Sequence, residues 1–345
     1  MDGLQEPSER AVVEGQVQFG RFGRPFVDLN LLDAECGIPR LFGLRRFRLK
    51  EWVHIAVVHQ EWYLSLSVVD LGFLVTSWLH LFDRRTGKAF EQGRKLPPWR
   101  FHAPENLWGQ QGGIGAPGYR VSVHHNLERQ VHRFVIEVNR KSRLPAVSGN
   151  LLLHEDPART QPLVALLPLG RNRPMFTHKS ACPVSGALYI GNENVRFAPD
   201  RDVALLDYHK AYYPRHTFWK WATFATIDAN GSILGVNLTH NVIRDDTRYN
   251  ENCIWHGNGI SLVGPARFNI LKDRTQPWKI RTEDGSVDLE LVPQGLRRER
   301  VNLGLVASAY DQPYGLYSGT LTDCDGKRHE VEEVFGLAED HAAIW

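Results

Sequence analysis

Residues 204–256 read ALLDYHKAYYPRHTFWKWATFATIDANGSILGVNLTHNVIRDDTRYNENCIWH, and strand-like runs alternate there with polar clusters. The apolar run before Asp207 and the runs around Trp219 and Val236 have the β-branched and aromatic content of strands. The Asp-Ala-Asn-Gly segment at 228–231 predicts the tight turn of a hairpin. This stretch therefore predicts paired antiparallel strands from which acidic, imidazole and indole groups project.

The strand pattern extends over the rest of the 345 residues. Successive runs at 51–59, 62–70 and 72–83 predict a meander of antiparallel strands. Residues 88–117 hold several prolines and glycines and predict a long loop. Because long helical periodicity is absent, the sequence predicts an all-β fold of the sandwich or barrel type.

The number of domains follows from the length and from a restart of the pattern. A chain of this length most often contains two domains. The series of short strands begins again near Cys182. We therefore expect two β-domains in tandem, at residues 1–180 and 181–345.

Composition argues against several classes of partner. The chain carries 41 basic and 39 acidic residues, a balance without the concentrated basic surface of nucleic-acid-binding proteins. No apolar run reaches the ~18 residues of a membrane span. The first ten residues, MDGLQEPSER, lack the apolar core of a secretory signal. We therefore expect a cytoplasmic protein without a nucleic-acid partner or an integral membrane segment.

Short motifs for metals and common cofactors are absent. The 4 cysteines are far apart and form no C-x-x-C pair. His124 and His125 are adjacent, so their side chains point to opposite faces of a strand. There is no H-E-x-x-H, G-x-S-x-G or Rossmann motif. The sequence therefore predicts no metal site and no cofactor.

Catalytic candidates begin with Asp207 and His209, which are two residues apart and so project to one face of a strand. A carboxyl group among apolar residues is desolvated, which raises its pKa and keeps a proton available for general acid catalysis. The alternative is an ionised Asp207 that pairs with an arginine such as Arg215 and serves only the structure. Glu251, in the polar segment before Trp255, is the third catalytic candidate.

Aromatic and polar groups near these acids predict a ligand pocket. Trp219 and Trp221 share one face of a strand, and indole rings bind apolar surfaces and stabilise cations. Packing in the core is the alternative for either ring. The remaining ligand-binding candidates are polar or aromatic residues of neighbouring segments, namely Tyr208, Asn252, Trp255, His256 and His178.

The order of three segments resembles the lipocalin-like double-barrel superfamily, which includes the carotenoid 1,2-hydratases and the AttH-type proteins. The segments are Ser185-Gly-Ala-Leu-Tyr-Ile-Gly191, Leu205-Leu-Asp-Tyr-His209, and Trp219-Lys-Trp221 with the hairpin that follows it. Within this superfamily, LDYHKAYYPRHTFWKWAT, NLTHN and the C-terminal Gly336-Leu-Ala-Glu-Asp-His341 resemble a bacterial group known as domain of unknown function 2804. The resemblance implies two lipocalin-like barrels in tandem, with a cavity at or near their junction.

The resemblance also implies a class of chemistry. Relatives in the superfamily include hydratases and cyclases that protonate a double bond in an apolar substrate, and Asp207 matches their acidic position. We therefore expect an apolar or amphipathic small molecule in a barrel cavity, with a hydratase, isomerase or cyclase reaction as the enzymatic interpretation. Two alternatives stay open, a non-catalytic binding module and a carbohydrate-active hydrolase that uses Asp207 and Glu251 as a carboxylate pair.

Overall fold

The computed structural model describes residues 3–228 and 230–345. Met1, Asp2 and Ala229, the last within the predicted turn at 228–231, lie outside the described residues. About 60% of the chain is strand and 5% is helix, which confirms the all-β class. The described residues include no helix that is long and apolar enough to cross a membrane. The helical elements are α1 (Leu44–Arg48) and 3-10 turns at Leu31–Asp33, Leu41–Gly43, Pro98–Arg100 and Leu127–Arg129.

The first part of the chain, up to Ala211, forms sixteen strands within the described residues. They are β1 (Val12–Val13), β2 (Gln16–Val17), β3 (Gly20–Phe22), β4 (Lys50–Val58), β5 (Trp62–Asp70), β6 (Val75–Asp83), β7 (Lys88–Leu96), β8 (Phe101–His102), β9 (Gln110–Ala116), β10 (Tyr119–Asn126), β11 (Val131–Val138), β12 (Val147–His154), β13 (Leu163–Pro168), β14 (Pro174–Ile190), β15 (Glu193–Phe197) and β16 (Val203–Ala211).

The second part of the chain, from His216 onward, forms the remaining strands. They are β17 (His216–Ile227), β18 (Ile233–Asn241), β19 (Cys253–Gly257), β20 (Gly259–Leu262), β21 (Ala266–Asn269), β22 (Trp278–Thr282), β23 (Val287–Asn302), β24 (Ala307–Thr322) and β25 (Arg328–Ile344).

Two large antiparallel sheets make up the fold. In the part of the chain that the structure describes, the first has 14 strands, in the order β7-β6-β5-β4-β16-β14-β12-β11-β10-β9-β8, with β13, β15 and β3 attached beside this path. Among the described residues the second sheet has 9 strands, in the order β20-β19-β18-β17-β25-β24-β23-β22-β21, and β1 pairs with β2 in a small separate sheet. The first sheet curls into a near-barrel and the second into a half-barrel. This architecture confirms the predicted tandem β-barrels.

Strand β14 runs through the position where the sequence pattern restarts. Its first half pairs with β13 and β16 up to Pro183, and its second half pairs with β12 and β15. Proline lacks an N–H group for the ladder, which suits a point where the neighbours change. Gly186 follows with φ of +119°, and a Cβ there would lie 2.3 Å from the main-chain oxygen of Asn150. The strand therefore continues past Cys182, and only its neighbours change.

Residues 88–117 contain two long strands, so the prediction of a long loop is wrong. Strand β7 pairs with β6 and extends the meander, and the glycine-rich β9 pairs with β10. A Cβ at Gly113 would lie 2.7 Å from the main-chain oxygen of Val121. The glycines of this segment therefore permit close approach of two strands, which a loop would not require.

The chain passes from the first sheet to the second between Ala211 and His216. This crossing lies later in the sequence than the predicted boundary at residue 180. Strands β14 and β16 both belong to the first sheet, and β16 carries Asp207 and His209. We propose the crossing as the boundary between the two units.

Strand β16 is buried on both faces because it lies between the core of the first sheet and the second sheet. Leu206 and Tyr208 join the core enclosed by the first sheet. Val203 and Leu205 point the other way, into a cluster that contains residues of both sheets. Asp207 continues this second face by strand alternation. Its carboxyl group is thereby placed in the contact between the two sheets.

Candidate functional site

A cavity of about 180 Å³ lies between the two sheets. Its walls come from β4, β5, β6, β14 and β16 on one side and from β17, β18, β23, β24 and β25 on the other. Most of the lining is apolar or aromatic, with a small set of charged groups. Loop residues Leu71, Phe73 and Leu303 also line the cavity, and Leu303 is 76% exposed. The cavity therefore opens to solvent beside these loops, at the junction where the resemblance implied one.

Three charged side chains form a buried group in the cavity wall. Lys179 lies directly opposite Asp207 in the register of β14 and β16, and its Nζ is 3.1 Å from Asp207 Oδ1. The same Nζ lies 3.6 Å from Glu251 Oε2 and 4.5 Å from the centroid of the Trp221 ring. One positive charge thus faces two carboxyl groups, and full ionisation of both would leave a net negative charge in the wall.

The pKa values of the two carboxyl groups are shifted in opposite directions. Burial acts to raise the pKa of Asp207, but Lys179 and a hydrogen bond from Trp52 Nε1 at 2.9 Å hold that pKa below its ordinary value. Burial raises the pKa of Glu251; Lys179 opposes this in part, and the charge of Asp207 adds to the rise. Among the described residues, Glu251 Oε2 has no hydrogen-bond partner. The prediction of a raised pKa at Asp207 is wrong, and Glu251 is the carboxyl group that retains a proton more readily.

Asp207 pairs with Lys179, and Arg215 lies elsewhere. The Arg215 guanidinium donates hydrogen bonds to the main-chain oxygens of Trp345 and Leu305, each at 3.1 Å. Asp207 therefore matches the predicted alternative, a carboxyl group in an ion pair, except that its partner is Lys179 and not Arg215.

Glu339 on β25 is a further buried carboxyl group, on the wall formed by the second sheet. Its oxygens accept hydrogen bonds from Tyr310 Oη at 2.5 Å, Gln312 Nε2 at 2.9 Å and Trp219 Nε1 at 2.8 Å. Burial raises its pKa against the effect of these hydrogen bonds. Glu339 is not among the site residues predicted from the sequence, although it is two residues from the apolar Leu337 and so shares its buried face.

Stacked rings form one side of the cavity. The indole of Trp52 lies on the imidazole of His209, with centroids 3.9 Å and planes 3° apart, and Trp219 stacks 5.7 Å from Trp52. Burial lowers the pKa of His209 to about 3 and that of His54 to about 4. Both imidazoles are therefore neutral near neutral pH. His209 Nε2 lies 2.9 Å from the Tyr213 hydroxyl, and its Nδ1 has no hydrogen-bond partner in the described structure.

Residues 4–345 match the model of the family described as Domain of unknown function (DUF2804). The chain belongs to the DUF2804 family. The match covers nearly the whole chain and confirms the resemblance inferred from the segments around β16 and β17. Among curated proteins, none matches this sequence.

Solved structures similar to this DUF2804 protein have little sequence in common with it. The crystal structure of CghA with Sch210972 has a TM-score of 0.56 and 11% identity, over 86% of this chain and 88% of that chain. Kievitone hydratase from Nectria haematococca has a TM-score of 0.47 and 9% identity, over 86% and 88%. The AttH-type protein NE1406 from Nitrosomonas europaea has a TM-score of 0.46 and 12% identity, over 85% and 92%. The likeness to CghA shows that the DUF2804 chain has the lipocalin-like double-barrel fold.

Half of the predicted site residues come together in the cavity of the DUF2804 protein. They are Asp207, His209, Glu251, Trp219 and Trp221. The cavity is also lined by functional groups that were not predicted from the sequence, among them Trp52, Lys179, Tyr213, Arg297 and Glu339.

Tyr208 and His178 point away from the cavity. Each is adjacent in its strand to a cavity residue, so its side chain projects to the other face, into the first sheet's core. The Tyr208 hydroxyl donates to the main-chain oxygen of Pro104 at 2.8 Å. His178 Nε2 lies 2.9 Å from Glu155 Oε2. His132, Glu155 and His178 form a buried group whose donor atoms lie close enough together to bind one metal ion.

Asn252, Trp255 and His256 make structural contacts beyond the cavity. The Asn252 side chain bridges main-chain groups of two other segments. Trp255 Nε1 donates to the main-chain oxygen of Gln161 at 3.1 Å, and His256 Nε2 lies 2.7 Å from the Ser261 hydroxyl. These hydrogen bonds are sufficient to explain the positions of the three side chains, and no bound ligand is required.

Proposed function

We propose that the cavity binds an apolar or amphipathic small molecule and that Glu251 donates a proton to it in a hydration, isomerisation or cyclisation reaction. The observation that carries this proposal is the pair of carboxyl groups beside one lysine in an apolar cavity, with pKa values shifted in opposite directions. When their environments shift the pKa values of two neighbouring carboxyl groups apart, one group can act as the acid and the other stays ionised. Asp207 remains ionised and holds Lys179, and Glu251 carries the proton.

The proposed hydration step uses only groups in the cavity and water. A double bond of the substrate takes the proton from Glu251, which leaves a carbocation centre on the substrate and a carboxylate beside Lys179. The π faces of Trp219 and Trp221 stabilise the cation by ~1–2 kcal/mol. Water then attacks the cation, and its released proton returns to Glu251, so one water is added and the acid is restored. In an isomerisation no water is added: the cation loses a proton from a neighbouring carbon to the Glu251 carboxylate, which restores the acid.

A carbohydrate hydrolase is less well supported than proton transfer to an apolar substrate. Carboxylate pairs in glycoside hydrolysis flank the scissile bond from two sides. Here the Lys179 ammonium contacts both Asp207 and Glu251, at 3.1 and 3.6 Å. That cation takes up space that a sugar ring between the two carboxyl groups would need. A non-catalytic binding module would use the same cavity but would need no protonated acid.

Replacing Val69 with tryptophan is expected to abolish retention of a small molecule, because Val69 lines the cavity on β5 and the indole would fill it. Native mass spectrometry of protein purified from its own host is the measurement. We expect an apolar bound molecule in the wild type and none in Val69→Trp. The control is Val292→Trp, at a position that is 47% exposed on β23, which should retain the molecule. Equal retention in all three proteins would place the binding site elsewhere.

A further inference from the structure

Four ionisable side chains lie in the core of the first sheet, on the face of β14 opposite the cavity. His125 is on β10, His132 on β11 and His178 on β14, while Glu155 follows the end of β12. Glu155 is 4% exposed and the three histidines are fully buried. Buried groups of this kind require a compensating interaction, because an apolar core disfavours charge and unpaired polar atoms.

Three donor atoms of this cluster converge on one point. Glu155 Oε2 lies 3.2 Å from His132 Nε2 and 2.9 Å from His178 Nε2, and all three atoms lie within 4.8 Å of one another. Donor atoms bound to one tetrahedral zinc ion at ~2.0–2.1 Å are themselves about 3.3 Å apart. The spacing of the three atoms therefore suits a single ion.

The charge of Glu155 supports the same conclusion. Within the described residues, its ion-pair contacts are with the imidazoles of His132 and His178. A carboxylate in an apolar core is energetically costly unless it is paired, hydrogen-bonded or bound to a metal ion. A divalent cation bound by all three side chains removes that cost.

We propose that His132, Glu155 and His178 bind one divalent transition-metal ion, and that zinc is the ion that fits them best. Two imidazole nitrogens and one carboxylate oxygen are a donor set that zinc accepts. The ion would connect β11, the end of β12 and β14 inside the first barrel. Because it lies on the face of β14 opposite Lys179, its role is to stabilise the barrel, and it takes no part in the proposed proton transfer.

His125 provides a hydrogen-bond acceptor for the proposed zinc site. When His132 Nε2 binds the ion, the proton of that ring resides on Nδ1. His125 Nδ1 lies 2.9 Å from His132 Nδ1 and can accept this proton in a hydrogen bond. Metal-binding histidines usually donate their second ring N–H in this way, which fixes the ring orientation.

Metal content tests the proposal directly. Wild-type protein loaded with zinc and desalted should contain about one zinc ion per chain by inductively coupled plasma mass spectrometry. His132→Gln and His178→Gln should lower the zinc content about tenfold or more. His124→Gln, at the exposed neighbour of His125, is the matched control and should keep the wild-type content.

Thermal unfolding of the wild type provides a readout that does not depend on the folding of any variant. Removal of zinc by a chelator should lower the unfolding midpoint by about 3–5 °C, and added zinc should restore it. A zinc content below about one tenth of an ion per chain, with no zinc-dependent shift of the midpoint, would overturn the proposal. Wild-type zinc content in folded His132→Gln and His178→Gln would also overturn it, because the ion would then be bound elsewhere.

Discussion

Replacing Lys179 with methionine is expected to lower the free energy of unfolding by about 3–5 kcal/mol near neutral pH. Lys179 is 5% exposed, and its ammonium faces the carboxyl groups of both Asp207 and Glu251. Methionine keeps most of the side-chain volume but removes the charge. The ionised Asp207 is then buried without its partner, which is the source of the loss. Urea denaturation of the wild type and the variant measures it.

The pH dependence of this loss has a defined sign. The folded protein lowers the pKa of Asp207. Its contribution to stability is therefore present above the ordinary carboxyl pKa of about 3.9 and is lost as the pH falls through the folded value. Without Lys179, burial instead raises this pKa, so Asp207 takes up a proton more readily. The deficit of Lys179→Met should be largest near neutral pH and should shrink as the pH approaches about 4.

The control for this variant is Lys279→Met, at an exposed position on β22. Its free energy of unfolding should change by less than about 0.5 kcal/mol. Wild-type stability of Lys179→Met near neutral pH would show that Lys179 does not hold the two carboxyl groups. A deficit that stays constant as the pH falls would lead to the same conclusion.

Replacing Glu251 with glutamine is expected to lower turnover by about 10²–10⁴-fold while the stability of the fold is almost unchanged. Burial raises the pKa of Glu251 above its ordinary value, so this carboxyl group keeps its proton to a higher pH than an exposed one. An amide has nearly the same shape but has no acidic proton to donate. The measurement is turnover of the molecule that the wild type retains, with urea denaturation of the same samples.

Two further variants make this experiment specific. Glu332→Gln, at an exposed position on β25, is the matched control and should keep wild-type turnover. Glu339→Gln tests the other carboxyl group with a raised pKa. Because Glu339 accepts three hydrogen bonds, its replacement is expected to cost stability as well. Wild-type turnover in Glu251→Gln with lost turnover in Glu339→Gln would assign the proton-donor role to Glu339.

The face of each strand could be predicted from the sequence, whereas the neighbours of each strand could not. Alternation is a local property, so the shared face of Asp207 and His209 was predicted correctly. Strand pairing depends on distant residues, and a strand such as β14 that changes neighbours at Pro183 looks like two strands in the sequence. Glycine is equally ambiguous, because the sequence does not distinguish a loop glycine from one such as Gly113 at a close strand contact.

The charged part of the candidate site depends on this non-local pairing. Lys179 meets Asp207 because β14 and β16 are neighbours in register, and no spacing in the sequence shows this. Apolar neighbours alone predicted a raised pKa for Asp207, but the cation reverses the direction. Glu339 reaches the cavity through non-local pairing as well, because β25, the last strand along the chain, lies between β17 and β24.

The proposed metal ligands also lie beyond the reach of short sequence motifs. His132 and His178 are each 23 residues from Glu155, far outside the spacings of zinc motifs. Pairing of β11 with β12 brings His132 close to Glu155 at the end of β12, and the first half of β14 carries His178 to the same point. The prediction of no metal site therefore rested on local spacing alone.

Infrared spectroscopy near neutral pH tests most directly whether Glu251 carries the proton. A protonated carboxylic acid in an apolar site has a carbonyl stretching band that a carboxylate lacks. We predict such a band in the wild type that is lost in Glu251→Gln and is retained in Glu339→Gln. Identical spectra of the wild type and Glu251→Gln in this region would show that Glu251 is ionised, and Glu251 would then be excluded as the proton donor.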